Sequence, residues 1–164
     1  MSTYGIWNGI DLQDLSDDPE IIFQNFLQSN WSNTISGINV DTVGFGYEPD
    51  LQSTKGLLVK IEESFTDINE LNLGGSYDQY DFVMNVHVWE RDSKRYKTMA
   101  NTRRYKVRKY IERFIKINKR GGIPAERIKH LYLLGSQNIR EPERTDWHHA
   151  VITFGMVTWK VDTT

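Results

Sequence analysis

The spacing of apolar residues predicts two helices and five strands along the chain. Apolar residues recur every three to four positions from Ile22 to Trp31 and from Val107 to Ile115, which is typical of helices with one buried face. Elsewhere apolar and polar residues alternate, as they do in strands. The predicted strands are 43–47, 57–65, 80–90, 128–134 and 147–161.

The predicted helices have recognisable ends. The first follows Asp18 and has Pro19 in its first turn, where a proline is tolerated. The second runs from Asn101 to Lys119 and ends at Gly121-Gly122. The order helix, three strands, helix, two strands indicates an α+β fold, with two helices packed on a mostly antiparallel sheet of four to five strands.

Two of the strands carry apolar side chains on both faces, which predicts that both faces are covered. In strand 80–90 one side has Phe82, Met84, Val86 and Val88, and the other has Val83, His87 and Trp89. In strand 147–161, Gly155 predicts a bulge or a close backbone approach.

The chain has 164 residues and contains no cysteine. This length fits one domain, which we predict over residues 16–164 behind an N-terminal arm of residues 1–15. The lack of cysteine excludes disulfides, cysteine nucleophiles and thiolate metal sites. No stretch reaches the ~20 apolar residues of a membrane span, and the N-terminus lacks the basic and apolar regions of a signal peptide.

The net charge of −2 conceals an uneven distribution. Residues 1–81 hold fourteen acids and two bases, a net of −12, and residues 82–164 hold eight acids and eighteen bases, a net of +10. Thirteen of the basic residues lie between Arg91 and Arg120. The two halves therefore either pair within the molecule or form surfaces of opposite sign.

The sequence offers little catalytic chemistry. It contains no dinucleotide-binding, P-loop, nucleophile-elbow or HExxH motif. His87 and His148 would lie on neighbouring strands and could share a divalent metal, although such histidines are usually just polar strand residues. Asp81, Glu90 and Lys94 suggest a two-metal nuclease, or else simply solvated residues that flank a strand. We expect no cofactor, no metal and no enzymatic activity.

The basic segment 91–120 has two interpretations besides a solvated helix face. Its cations, with Tyr96 and Tyr105 among them, could bind the phosphates of a nucleic acid. Alternatively, opposite charges could set the register of a head-to-tail contact between subunits, where aromatic residues and arginine are common. The interface candidates are then Trp89, Arg103, Arg104, Arg108, Lys109, Arg140, Glu141, Glu143, Arg144 and Trp147.

The order of elements carries a resemblance to a known family. The segments concerned are YDFVMNVHVWER (80–91), the basic helix 102–119, the strand 128–134, a loop with Glu141-Pro142-Glu143-Arg144, and AVITFGMVTWKV (150–161). Together with the first helix, they resemble over residues 18–161 the tail terminator, or tail-completion, proteins of tailed bacterial and archaeal viruses. The resemblance implies that the long helix crosses one face of the sheet and that the last strand lies beside the strand before that helix.

The resemblance also implies a virion protein at the head–tail junction, assembled in the host cytoplasm. Six copies would form a ring that caps the tail tube protein and joins it to a neck or head-completion protein, without any membrane. DNA would pass through the lumen without specific binding. The acidic connection 66–79 would suit that lumen because it repels phosphates, with lumen candidates Asp67, Glu70 and Asp78.

Three alternatives remain open from the sequence. One is another neck or head-completion connector protein. The others are a nucleic-acid-binding protein and a metal-dependent nuclease, both of which would use the basic segment 91–120.

Overall fold

The computed structural model describes residues 18–30, 42–49, 57–70, 77–91, 97–117, 128–144 and 146–161. It confirms the α+β fold, with two helices and one mostly antiparallel five-stranded sheet. The elements are α1 Pro19–Asn30, β1 Thr42–Phe45, β2 Leu57–Glu70, β3 Tyr77–Arg91, α2 Lys97–Ile117, β4 Ile128–Ile139 and β5 Trp147–Val161. The predicted arm, residues 1–15, lies outside the described residues.

The strands are arranged in the order β1-β2-β3-β5-β4. The β1–β2 pair is parallel and the other three pairs are antiparallel. Strands β3 and β5 are paired along their whole length, from Tyr77 opposite Val161 to Arg91 opposite Trp147. The last strand therefore lies beside the strand that precedes α2, as the resemblance implies.

Helix α1 begins as the sequence predicts. Asp18 Oδ1 accepts a hydrogen bond from the N–H of Glu20 at 2.9 Å, and the carbonyl of Asp18 accepts one from the N–H of Ile22 at 2.9 Å. The side chain thus satisfies one of the N–H groups that a helix start leaves unpaired.

Both helices pack on the same face of the sheet. The ring centroid of Phe23 in α1 lies 4.4 Å from that of Phe154 in β5, and Phe26 lies 5.1 Å from Phe114 of α2. The predicted stripe of α2 forms part of this core, with Val107, Ile111, Phe114 and Ile115 buried. Each such burial stabilises the fold by ~1.5–3 kcal/mol. Within the described ranges, neither helix has the length and apolar character needed to cross a membrane.

The hairpin of β2 and β3 is longer than predicted. β2 continues to Glu70 and β3 starts at Tyr77, so the connection predicted over residues 66–79 is mostly strand. The lumen candidates Asp67, Glu70 and Asp78 therefore lie in paired strands rather than in a loop. Beyond the bulge in β2, Phe65 and Asp67 share a face and are both exposed, and apolar residues do not alternate from Phe65 to Glu70, so the sequence carries no strand pattern there.

A second apolar cluster lies on the face of the sheet opposite the helices. It consists of Leu58, Trp89 and Trp147, and the indoles of the two tryptophans meet edge to face at 6.2 Å. Trp89 is 0% and Trp147 is 5% exposed. These two interface candidates are thus core residues of the single chain, and neither has surface to offer a neighbouring subunit.

The close approach predicted at Gly155 exists, and it is made by a side chain. Tyr132 of β4 lies opposite Gly155, and its ring occupies the space above the glycine. A Cβ atom at position 155 would lie 1.9 Å from Cζ of Tyr132. Only glycine leaves room for this ring on the sheet.

We expect Gly155→Ala to lower the free energy of unfolding by about 1–3 kcal/mol, because the methyl group forces the Tyr132 ring away. Urea denaturation followed by circular dichroism measures this loss. In a Tyr132→Ala background the same substitution should cost little. Gly135→Ala is the matched control, since nothing lies within 4 Å of a Cβ there. Equal losses at both glycines would contradict the packing argument.

Candidate functional site

A line of hydrogen-bonded side chains crosses the face of the sheet that the helices leave uncovered. Its members are Glu62 of β2, His87 of β3, His149 of β5 and Glu141, which follows β4. The His87 imidazole lies 2.7 Å from Glu62 through Nε2 and 2.9 Å from His149 Nε2 through Nδ1. His149 Nδ1 lies 2.8 Å from Glu141 Oε1. We call these four residues the Glu–His–His–Glu string.

The line continues beyond both ends of the string. Asn85 Nδ2 donates to Glu62 Oε2 at 3.3 Å, and Thr153 Oγ1 donates to Asn85 Oδ1 at 2.8 Å. At the other end the hydroxyl of Tyr47 donates to Glu141 Oε1 at 3.2 Å. The line therefore joins β2, β3 and β5 to the segments that follow β1 and β4.

Aromatic rings enclose the two histidines. The His149 imidazole stacks on the indole of Trp89 at 3.8 Å with an interplanar angle of 3°. The ring of Tyr47 lies 4.5 Å from His87 and 5.2 Å from His149. Gly46, with a φ of 90°, turns the chain at this point, a conformation that favours glycine. The indole N–H of Trp89 donates to the carbonyl of Tyr47 at 3.0 Å and so holds the Tyr47 residue beside the two histidines.

A cation completes the enclosure. The guanidinium of Arg144 lies 5.7 Å from the ring centroid of Trp89 and forms an ion pair with Glu48. A guanidinium over an indole face is an attractive arrangement. This pair joins an acid of the acidic half of the chain to a base of the basic half. Two interface candidates are therefore already bonded within the chain: Arg144 through this ion pair and Glu141 through its contact with His149.

The string has three contacts between its members but only two N–H protons when both carboxylates are ionised and both imidazoles are neutral. Each neutral imidazole carries one N–H proton. His87 and His149 each donate theirs to a carboxylate, because such a bond is charge-assisted. Nδ1 of His87 and Nε2 of His149 then face each other, 2.9 Å apart, without a proton between them. One added proton would complete the line.

Burial opposes the uptake of that proton. Loss of hydration lowers the pKa of His87, and the hydrogen bond to Glu62 offsets this only in part. Burial lowers the pKa of His149 to about 4, although Glu141 accepts its hydrogen bond, and a charge on His87 would lower it further. Burial and the nearby Glu141 raise the pKa of Tyr47, which keeps its hydroxyl protonated as a donor. At neutral pH the string thus links neighbouring strands through hydrogen bonds between their side chains.

The sequence predicts two histidines on neighbouring strands but selects the wrong second member. In the register of β3 and β5, His148 lies opposite Glu90 and His149 lies opposite Trp89. His149 therefore shares the face of His87, and His148 points to the other face. In the parts of the chain that the structure describes, no group of three or more His, Asp or Glu is arranged to hold a metal ion.

Four cations of α2 are matched by groups of their own half of the chain, namely Arg103, Arg104, Arg108 and Lys109. Arg103 Nη1 forms an ion pair with Glu90 Oε1 at 2.9 Å. Arg104 is 7% exposed, and its Nη1 donates to the carbonyl of His149 at 3.3 Å. Arg104 is one of the interface candidates named from the sequence, but its side chain is buried within the chain. A buried guanidinium cannot serve as a subunit contact.

Arg108 joins α2 to the edge strand β4. Its guanidinium donates to Glu112 Oε1 at 3.0 Å, to Asn138 Oδ1 at 2.9 Å and to the carbonyl of Ser136 at 3.1 Å. Lys109 Nζ reaches the other oxygen of Glu112 at 3.1 Å. Burial alone would raise the pKa of Glu112, but the hydrogen bonds from Ser136, Lys109 and Arg108 lower it on balance. Arg108 therefore links α2 to β4 within one chain.

The residues proposed for a two-metal nuclease do not converge. Asp81 and Glu90 are nine residues apart on β3, which is about 30 Å at ~3.3 Å per residue. They also lie on opposite faces of the sheet, because the side chains of a strand alternate. Glu90 is buried against Arg103. Lys94 lies outside the described residues.

The remaining charged candidates lie on the loop after β4 and on the β2–β3 hairpin. Two interface candidates of the loop after β4, Arg140 and Glu143, are exposed. On the hairpin, Asp67 lies opposite Asp81, and Glu70 lies opposite Asp78. Like charges directly opposite each other destabilise a strand pair by ~0.2–1 kcal/mol. The turn end of the hairpin is therefore a concentrated acidic region.

We expect the stability of the protein to fall as the pH falls from 6.5 to 4. The unfolded His149 takes up a proton near pH 6.5, whereas the folded one resists it until about pH 4. Over this window the unfolded state binds more protons, so stability is lost with acid by up to about 1.4 kcal/mol per pH unit. Urea denaturation at a series of pH values measures the slope.

The control for this experiment is His130→Gln, which removes an exposed histidine of β4. It should retain the wild-type slope, whereas His149→Gln should have a smaller one. Parallel pH profiles for the wild type and His149→Gln would show that His149 is not the group concerned.

We expect Arg108→Ala to destabilise the fold by about 1.5–3 kcal/mol, because it removes charge-assisted hydrogen bonds and leaves Glu112 buried with fewer partners. Arg113→Ala, on the exposed side of the same helix, should change stability by no more than about 0.5 kcal/mol. Chemical denaturation of both variants measures the difference. A similar effect of the two substitutions would argue against the tie to β4.

Comparison with known proteins gives matches among solved structures alone. No family model matches the sequence, and no curated protein matches it. Among solved structures, a chain described as "Virion of native gene transfer agent (GTA) particle" is similar, with a TM-score of 0.47 and 14% identity over 85% of this chain and 92% of that chain. At that likeness the match assigns neither a fold nor a role to this chain.

Proposed function

We propose that this chain is a non-enzymatic structural protein of a tailed virus or virus-like particle, and more specifically a tail terminator. In this role six copies form a ring at the head–tail junction, end the growth of the tail tube and join it to a neck or head-completion protein. The observation that carries the proposal is the separation of exposed charge on the surface of one chain.

The separated charges lie on different elements. Accessible carboxylates cluster at the start of α1 and along the β2–β3 hairpin, at Asp18, Glu20, Glu62, Glu63, Asp67 and Asp81. Exposed cations lie on the outer side of α2, at Lys106, Lys109, Arg113 and Lys116. Two surfaces of opposite sign on one chain suit a heterologous contact between copies, which is the kind of contact that builds a ring.

The length of the hairpin supports a role for its acidic end. Strand β3 has 15 residues, about 50 Å at ~3.3 Å per residue, whereas a globular chain of this size has a radius of gyration of about 15 Å. The turn end therefore reaches far along the domain. We assign this end, with Asp67, Glu70 and Asp78, to the lumen of the ring, where its negative potential would keep passing DNA from binding. Such a role accounts for acids placed opposite each other at a cost in stability.

Two other functions share some of these features. A neck or connector protein would present the same pair of charged surfaces. A nucleic-acid-binding protein is favoured by the exposed cations of α2, since a patch of this kind suffices for binding to phosphates. A metal-dependent nuclease is not favoured, because Asp81 and Glu90 are far apart on opposite faces of the sheet.

We expect the purified chain to form a ring of six copies, with a mass of about 115 kDa from a chain of 19.2 kDa. Native mass spectrometry gives the mass, and negative-stain microscopy shows the central hole. Added duplex DNA should not change the assembly. A chain that stays monomeric at high concentration, and forms no ring when tail tube protein is added, would contradict the proposal.

The lumen assignment has its own test. The double variant Asp67→Lys, Asp78→Lys should bind duplex DNA with a salt-dependent affinity, because it replaces repulsion of phosphates by attraction. The double variant Glu143→Lys, Asp146→Lys makes the same change of charge at the loop after β4 and should bind much less. Fluorescence anisotropy measures both. Tight binding of DNA by the wild type, steeply dependent on salt, would favour the nucleic-acid-binding alternative.

A further inference from the structure

An acidic surface lies where the start of α1 meets the kink in β2. Glu20 Oε1 accepts a hydrogen bond from the N–H of Glu63 at 3.0 Å, which joins the two elements. Burial raises the pKa of Glu20, and the neighbouring Asp18, Glu63 and Glu62 raise it further, so these carboxylates lie close enough to repel one another. Phe65, beyond the bulge, is 62% exposed at the same strand edge but on the other face of the sheet, because it pairs with Val83 whereas Glu63 pairs with Met84. We call Asp18, Glu20, Glu63 and Phe65 the acidic corner.

A surface of opposite sign lies on the outer side of α2. Its exposed residues recur at helical spacing and combine four cations with two large apolar side chains: Tyr105, Lys106, Lys109, Arg113, Lys116 and Ile117. Ile117 is 68% and Tyr105 is 47% exposed. We call these six residues the cationic ridge. Its charge is opposite to that of the acidic corner.

The corner and the ridge do not face each other within one chain. Helix α2 packs on β3, β4 and β5, and helix α1 packs on β2. The ridge is the side of α2 that points away from the sheet, whereas the corner lies at the β2 side of the sheet. The opposite charges can therefore meet only between two molecules.

The corner also excludes one mode of contact. Beyond Ile61, no described strand pairs with the outer edge of β2, which could in principle accept a strand from another chain. Ser64 forms a bulge between Glu63 and Phe65, and the N–H of Glu63 is already bonded to Glu20. A kinked, charged edge disfavours strand addition. A partner therefore docks here through side chains.

We infer that the acidic corner of one copy docks on the cationic ridge of the next copy, with Phe65 against Ile117, one helical turn from Arg113. This inference rests on the proposed ring, because it names the two surfaces that close it. The contact is heterologous, so successive copies follow one another around the ring. The charges fix the register, and the apolar groups provide the surface that is buried.

A charge-swap experiment tests the contact. Glu63→Lys alone and Arg113→Glu alone should each weaken association at least about tenfold, because each places like charges opposite each other. A chain that carries both substitutions restores opposite signs and should assemble to within about threefold of the wild type. Sedimentation velocity over a range of concentrations measures association, and circular dichroism confirms that each variant is folded.

Mixing gives a test that does not depend on the ring. In the mixture of the two single variants, every corner meets a ridge of opposite charge when the two variants alternate, so the mixture should form mixed oligomers, whereas neither variant associates alone. Phe65→Ser should weaken association without changing its salt dependence.

Arg140→Glu is the matched control, since Arg140 is an exposed cation of the loop after β4. If Arg140→Glu disrupts the ring and Arg113→Glu leaves it intact, the inferred contact is wrong and the ring proposal stands. If the wild type forms no ring but the mixed variants form mixed oligomers, the contact stands and the terminator role is wrong. If neither rings nor mixed oligomers form, both are wrong.

Discussion

The pairing of β3 with β5 decides which side chains meet on each face of the sheet. The two strands are matched along all fifteen residues, and β2 and β4 extend the sheet from their outer edges. A shift of one residue would exchange the faces completely. It would bring the His149 position onto the helices and move the Phe154 position away from them. The core and the polar line thus depend on the same register.

The two faces of the sheet are stabilised by different physical means. On one face, α1 and α2 exclude water with apolar side chains, so packing and burial dominate. On the other face, ionisable groups are buried, which is unfavourable unless each finds a partner. The Glu–His–His–Glu string, the indole of Trp89 and the ring of Tyr47 supply those partners from five separate segments. Loss of one partner would expose the others to the full cost of desolvation.

The sequence was sufficient for the elements, their order and the α+β class, because a buried face leaves a period in the residues. It was not sufficient for the site. Alternation assigns faces within a strand but not the register between strands, which is why His149 rather than His148 joins His87. Arg104 is buried because the carbonyl of His149 lies within its reach, a contact that leaves no local pattern. The end of β2 beyond Phe65 has no apolar period at all.

The bulge at Ser64 has a consequence for how this protein tolerates the loss of a single residue. Glu63 lies opposite Met84 and Phe65 lies opposite Val83, so Ser64 is the one residue of β2 without a counterpart in this stretch. Its deletion would leave every flanking pair in place and would straighten the strand. The edge would then be straighter and more open to backbone pairing with identical edges, as in fibrils. One extra serine thus separates a kinked edge, which disfavours such pairing, from a flat one.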